Sequence, residues 1–104
     1  MSILAGYSIG FIGAGNMAEA LIRGLVKGGH MPAHKITASA PRNERLAELV
    51  EAYGIAVTRD NREVARGSAI VVLSVKPQIF DKVLREIGTE LPAGTLVISI
   101  AAGV

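Results

Sequence analysis

Two kinds of apolar pattern alternate along the chain. One is a short, almost unbroken run, seen at Ile9 to Ile12, Ile55 to Thr58, Ala69 to Val75 and Leu96 to Ile100. Such runs suit parallel strands covered on both faces. Lys35 to Ser39 is a short, half-apolar strand between the first two. The other pattern has helical spacing. Met17, Leu21, Ile22, Leu25 and Val26 share one face, as do Leu46, Leu49, Val50 and Tyr53, and later Ile79, Phe80, Val83, Leu84 and Ile87. In the second of these segments Arg45, Glu48 and Glu51 fall on the wet side.

Glycine and proline set the boundaries. The first helix is expected from Asn16 or Met17 to Lys27, closed by Gly28 and Gly29, and the second closes at Gly54. Asp60 and Glu63 stand at capping-box spacing and open a short third helix through Arg66, with Gly67 as its stop. Pro77 has no N–H to continue a ladder, so it ends the fourth strand. Pro92 and Gly94 turn the chain into the fifth. Five strands alternating with four helical segments predict an α/β doubly wound parallel sheet, order 3-2-1-4-5, helices on both faces. In such a sheet ligands enter beyond the carboxyl ends of the strands, where the winding reverses between the first and fourth.

Composition narrows this further. A length of 104 residues is one domain with room for its own core. Half the residues are apolar but aromatics are few, so Ile, Val, Leu and Ala must build that core. The net charge of +2 is small and no basic stripe with interleaved aromatics appears, which argues against nucleic acid as a partner. Cysteine is absent, which excludes disulfides and thiolate metal sites. His30 and His34 fall in a loop with no ligand-like spacing around them, so no metal is expected. Met1 to Ala5 does not read as a signal peptide, and no run is long enough to span a bilayer. A cytoplasmic protein without a membrane partner is expected.

The candidate chemistry lies at the first strand's end. Gly13, Gly15 and Ala18 fall at the spacing of a dinucleotide fingerprint, with Ala in the third glycine position. Gly13 permits the tight turn, Gly15 lets a pyrophosphate approach the backbone, and Ala18 lets the helix lie close to its strand. The helix start that follows carries unpaired N–H groups and a partial positive charge. This makes the domain Rossmann-type. At the second strand's end, Ser39-Ala40-Pro41-Arg42 carries no acid for a ribose 2′-hydroxyl. Ser39 and Arg42 would tolerate a 2′-phosphate, which favours NADP, with NAD as the alternative; Arg42 can equally be a solvated first-turn residue. Asn61 either caps the helix it opens or bonds the adenosine ribose. Ser74 to Gln78 and Ile100 to Gly103 are the remaining irregular strand ends.

F-I-G-A-G-N-M-A at Phe11 to Ala18, S-V-K-P-Q at Ser74 to Gln78 and V-I-S-I-A-A-G-V at Val97 to Val104 together resemble the N-terminal domain of pyrroline-5-carboxylate reductase. The resemblance covers essentially the whole chain in register, and the three motifs in this order are far more specific than the fingerprint. It implies that Ile12, Gly13, Ala14, Gly15, Asn16 and Met17 cradle the pyrophosphate and that Asn61 touches the adenosine ribose. It implies that Ser74, Val75, Lys76 and Pro77 line the nicotinamide side, mainly by backbone atoms, and that Ile100, Ala101 and Ala102 border the nicotinamide and face the substrate. Ala40 stands where a family member often has a hydroxyl. The family continues with an R-x-M-P-N-x-P crossover and a helical domain that forms the homo-oligomer and much of the imino-acid pocket. The resemblance therefore implies a cofactor domain with no catalytic residue of its own and negligible activity alone. The alternatives are the cofactor half of another NADP-dependent dehydrogenase or imine reductase, and a non-catalytic nucleotide-binding module.

Overall fold

The computed structural model describes residues 7–100. Its sheet has five parallel strands: β1 (Ile9–Ile12), β2 (Ile36–Ser39), β3 (Ala56–Thr58), β4 (Ile70–Leu73) and β5 (Leu96–Ser99). Their order is β3-β2-β1-β4-β5, as the alternation predicts. Four α-helices connect them: α1 (Asn16–Lys27), α2 (Asn43–Tyr53), α3 (Asn61–Gly67) and α4 (Phe80–Ile87). No helix among the described residues is long and apolar enough to cross a membrane.

Strand β1 sits at the centre, and every one of its residues is buried. One core layer joins Ile9 and Phe11 to Ala18 and Ile22 of α1, Leu49 of α2 and Ile36 and Ala38 of β2. The opposite layer joins Ile12 to Val64 and Ala65 of α3, Val71 and Leu73 of β4, and Val83 and Ile87 of α4. Alternate residues of one strand therefore face α1 and α2, or α3 and α4, as a doubly wound sheet requires.

The strands are shorter than the apolar runs. Lys35 lies in a 3₁₀ turn, and Ile55, Ala69, Ser74, Val75 and Ile100 fall outside their strands. The limit is β1. Its four residues pair with Ile36–Ser39 on one side and Ile70–Leu73 on the other. Beyond Ile12 only single bonds continue on each side, Gly13 to Ser39 and Ser74 to Ile12, so hydrophobicity alone overstates strand length.

The helix faces are also rotated from the expected ones. Met17 and Leu21 are exposed, and the buried stripe of α1 is Ala18 and Ile22 with Leu25 and Val26 half-covered. Val50, Ile79 and Leu84 are likewise exposed. The contact face is set at a small residue: Ala18 and Ile22, four residues apart, are the fully buried positions of α1. The α3 capping box is rearranged. The Asp60 carboxylate accepts from the Arg62 N–H at 2.9 Å, but the Asp60 N–H donates to the Thr58 hydroxyl at 3.0 Å. That hydroxyl donates in turn to Glu63 at 3.0 Å.

Gly10 is the tightest point in β1. A Cβ added there would collide with the Ser68 hydroxyl and a Val64 methyl of the α3 side. Gly10→Ala is expected to lower the unfolding free energy by about 1–3 kcal/mol, the usual cost of overpacking a filled core. Chemical denaturation checks this, and an unchanged midpoint would show that α3 can retreat freely.

Candidate functional site

The chain leaves β1 through a clamped turn. The Gly13 N–H donates to the Ser39 carbonyl at 3.1 Å, and the Ser74 N–H donates to the Ile12 carbonyl at 2.8 Å. Gly13 has φ +97°, and a Cβ on it would run into the Ser74 carbonyl. The fold itself thus demands glycine at this position. Gly15 is different. Its φ of −79° suits any residue, and a Cβ there would meet nothing within 4 Å. No packing reason for glycine exists at Gly15, so the free space above it is the site's own property. Gly15 is the N-cap of α1 and supplies no side-chain cap. The leading amides of this 12-residue helix therefore stay without a side-chain acceptor. Open space beside uncapped donors fits a diphosphate.

A cleft of about 290 Å³ opens beside this turn. Ile12, Gly13, Ser39, Asn61 and Val75 line it, together with Ala40, Pro41, Arg59, Ile79, Lys82, Val83 and Glu86. Five of the expected residues thus share one wall although they come from four strand ends. Ser39 is fully buried, and its hydroxyl donates to Asn61 Oδ1 at 2.6 Å. Asn61 Nδ2 donates to Glu86 Oε1 at 2.8 Å. Asn61 does not cap α3, since Asp60 holds that position. It ties β2 to α4 across the cleft instead.

The cations differ from those the sequence singled out. Arg42 is an exposed residue at the N-cap of α2 and does not line the cleft. Arg59 and Lys82 do, and both are exposed. They lie at the end of β3 and on α4, segments that the fingerprint does not cover. Val75 also lines a second hollow with Pro77, Phe80, Ser99 and Ile100. Lys76 is exposed and opens the 3₁₀ turn Pro77–Ile79. Ser74 is buried with its hydroxyl unpartnered among the described residues. Ala101 and Ala102 lie outside the described residues.

Behind the turn stands a charged network around Arg45, a residue that periodicity placed on the wet side of α2. Arg45 reaches from the first turn of α2 to the Ala14 carbonyl (2.6 Å), the Gly15 carbonyl (3.4 Å) and Glu19 Oε1 (2.6 Å). The Tyr53 hydroxyl donates to Glu19 Oε2 at 2.7 Å, and Arg23 Nε donates to the same hydroxyl oxygen at 3.3 Å. The Tyr53 bond first, and Arg45 next, hold the Glu19 carboxyl below its ordinary value of 4.5.

The geometry agrees with what comparison finds. Residues 8–103 match the family model described as NADP oxidoreductase, coenzyme F420-dependent. The chain belongs to this family. Its relatives include pyrroline-5-carboxylate reductase 2 of Pongo abelii, 45% identical over 98 residues. That match covers 93% of this chain and 31% of the relative. Among solved structures, a pyrroline-5-carboxylate reductase from Coxiella burnetii superposes with a TM-score of 0.86 at 36% identity. It covers 93% of this chain and 36% of that one. Plasmodium falciparum pyrroline carboxylate reductase with NADP bound follows at 0.79 and 28%, covering 93% and 34%. The chain thus spans about a third of the relatives it matches.

The turn after β1 should carry a pH signature. Glu19 is easier to ionise folded than unfolded, so its contribution is present above about pH 4.5 and withdrawn as pH falls through the lower folded value. Urea midpoints taken from pH 7 to pH 3 should drop on acidification, and Tyr53→Phe should reduce the part due to Glu19. An identical pH profile in Tyr53→Phe would contradict this account.

Proposed function

We propose that these residues seat the NADPH of a pyrroline-5-carboxylate reductase. The observation that carries this is Gly15, where the chain leaves space it does not need beside uncapped helix amides. In this reading Ile12 to Met17 hold the diphosphate, and the relay from Ser39 through Asn61 to Glu86 shapes the adenosine end. No acid follows Ser39, while Arg59 and Lys82 line the wall beside Ala40 and Pro41, with Arg42 one residue further. That balance suits a 2′-phosphate. Val75, Lys76 and Pro77, with Ile100, Ala101 and Ala102, border the nicotinamide. NADP is therefore the cofactor, with NAD as the weaker alternative.

When bound, the reduced nicotinamide supplies a hydride for the C=N carbon of 1-pyrroline-5-carboxylate, and the product is L-proline, which places the enzyme in proline biosynthesis. A protonated imine is already electrophilic, so the protein's task is to align the two reactants and exclude water. This chain positions the donor. The imino-acid pocket and the homo-oligomer belong to the helical domain that follows in the resemblance, and the cytoplasm is the proposed compartment.

Gly15→Val should leave the unfolding midpoint close to that of the unaltered chain while abolishing NADPH binding, because its methyls enter only the ligand's space. Titration calorimetry beside a denaturation curve checks both; unchanged binding would move the diphosphate elsewhere. The same titration should give NADPH a lower Kd than NADH, and equal values would remove the 2′-phosphate from the reading. The 104 residues alone should show negligible proline formation.

A further inference from the structure

We infer that Arg45 is a positioning residue for the cofactor turn: it holds the carbonyls of Ala14 and Gly15 on its own side, so that the amides that follow them stay aimed at the diphosphate. This deepens the cofactor reading and rests on it.

A peptide group is planar and trans, so its C=O and its N–H point in opposite directions. Fixing the Ala14 carbonyl therefore fixes the Gly15 N–H, and fixing the Gly15 carbonyl fixes the Asn16 N–H. Arg45 Nε donates to the first carbonyl at 2.6 Å, and Nη2 reaches the second at 3.4 Å. The Gly15 carbonyl already takes the Glu19 N–H at 3.0 Å as the first rung of α1. The Ala14 carbonyl precedes the helix and has no such rung, and Gly15 on its own is the most freely rotating residue type. Without Arg45 the peptide that carries the key N–H would be the loosest in the turn.

Arg45 is itself fixed. Glu19 Oε1 takes Nη2 at 2.6 Å and Glu48 Oε1 takes Nη1 at 3.3 Å. The second Glu19 oxygen is occupied by Tyr53. A guanidinium can serve carbonyl and carboxylate together because its donors form a rigid fork, which an ammonium cannot imitate. The acid at the start of α1 is thus paired with Arg45 and hydrogen-bonded by Tyr53, and does not confront an incoming anion unshielded.

Calorimetric titration with two probes tests this. NADPH contains the diphosphate; adenosine 2′-monophosphate contains the adenosine end without it. Arg45→Ala is expected to weaken NADPH about tenfold, the scale of a lost charge-assisted bond. The 2′-monophosphate should change less than twofold, and Arg45→Lys should not restore NADPH binding. Equal losses for both probes would overturn the proposal, since a general loss of folding or a contact with the ribose phosphate acts on both. Full NADPH affinity in Arg45→Ala would overturn it too. Glu19→Gln separates bracing from direct contact with the diphosphate. Bracing predicts weaker NADPH binding, because Arg45 loses its anchor. Direct contact predicts tighter binding, because a competing carboxylate is gone, and that result would refute the brace. Failure of the unaltered chain to bind either probe would refute the cofactor reading, and this role with it.

Discussion

Strand β1 has no free side. It is hydrogen-bonded along both edges and covered on both faces, and its neighbours leave no room for a side chain at Gly10 or Gly13. A strand so enclosed can be left only by a sharp turn. The positive φ of Gly13 makes that turn, and the carbonyls of Ile12 and Ser39 are used to clamp it. The helix that follows begins at once, before any capping side chain can intervene. Uncapped donors at the mouth of the sheet are the consequence of burying the centre so completely. The anion-binding character of the turn and the stability of the core thus share one cause.

The three small residues of the fingerprint separate cleanly by what each does. Gly13 and Ala18 answer to the fold: one avoids a backbone collision, the other lets α1 pack without a gap. Gly15 meets nothing within 4 Å, so packing does not require its smallness. Spacing alone cannot tell these roles apart, because all three read as small residues after a strand. The space above each residue does, and this is why the coordinates add more at Gly15 than at any strand.

Strand order and helix count followed from the alternation of apolar runs, because that pattern reflects burial directly. The faces of Met17, Leu21 and Val50 did not follow. Helical periodicity ranks residues by hydrophobicity, whereas α1 settles on the face where Ala18 allows the closest approach. Arg45 was missed for a related reason. Its local spacing matches a solvated pair with Glu48, and that pair exists at 3.3 Å. Its main partners are the carbonyls of Ala14 and Gly15 and the carboxylate of Glu19, roughly a helix and a strand earlier in the chain. No local window contains both ends of such a contact. The same holds for the bond from Asn61 to Glu86, which joins α3 to α4.

The two ends of the crevice are finished to different degrees. Around the first cleft, Ser39, Asn61 and Glu86 satisfy one another, and Arg59 and Lys82 share its lining with Gly13. Near β5 the picture changes. Leu96, Val97 and Ile98 are all substantially exposed, although a parallel strand is ordinarily covered on both faces. The second hollow, with Val75, Pro77, Phe80, Ser99 and Ile100, opens beside that bare strand. Among the described residues nothing there pairs charge with charge or supplies a donor set for a carboxylate. The first cleft is therefore closed by paired polar groups, and the second hollow is lined mainly by apolar ones. The contrast between the two hollows thus follows from where the polar groups of this domain are already satisfied.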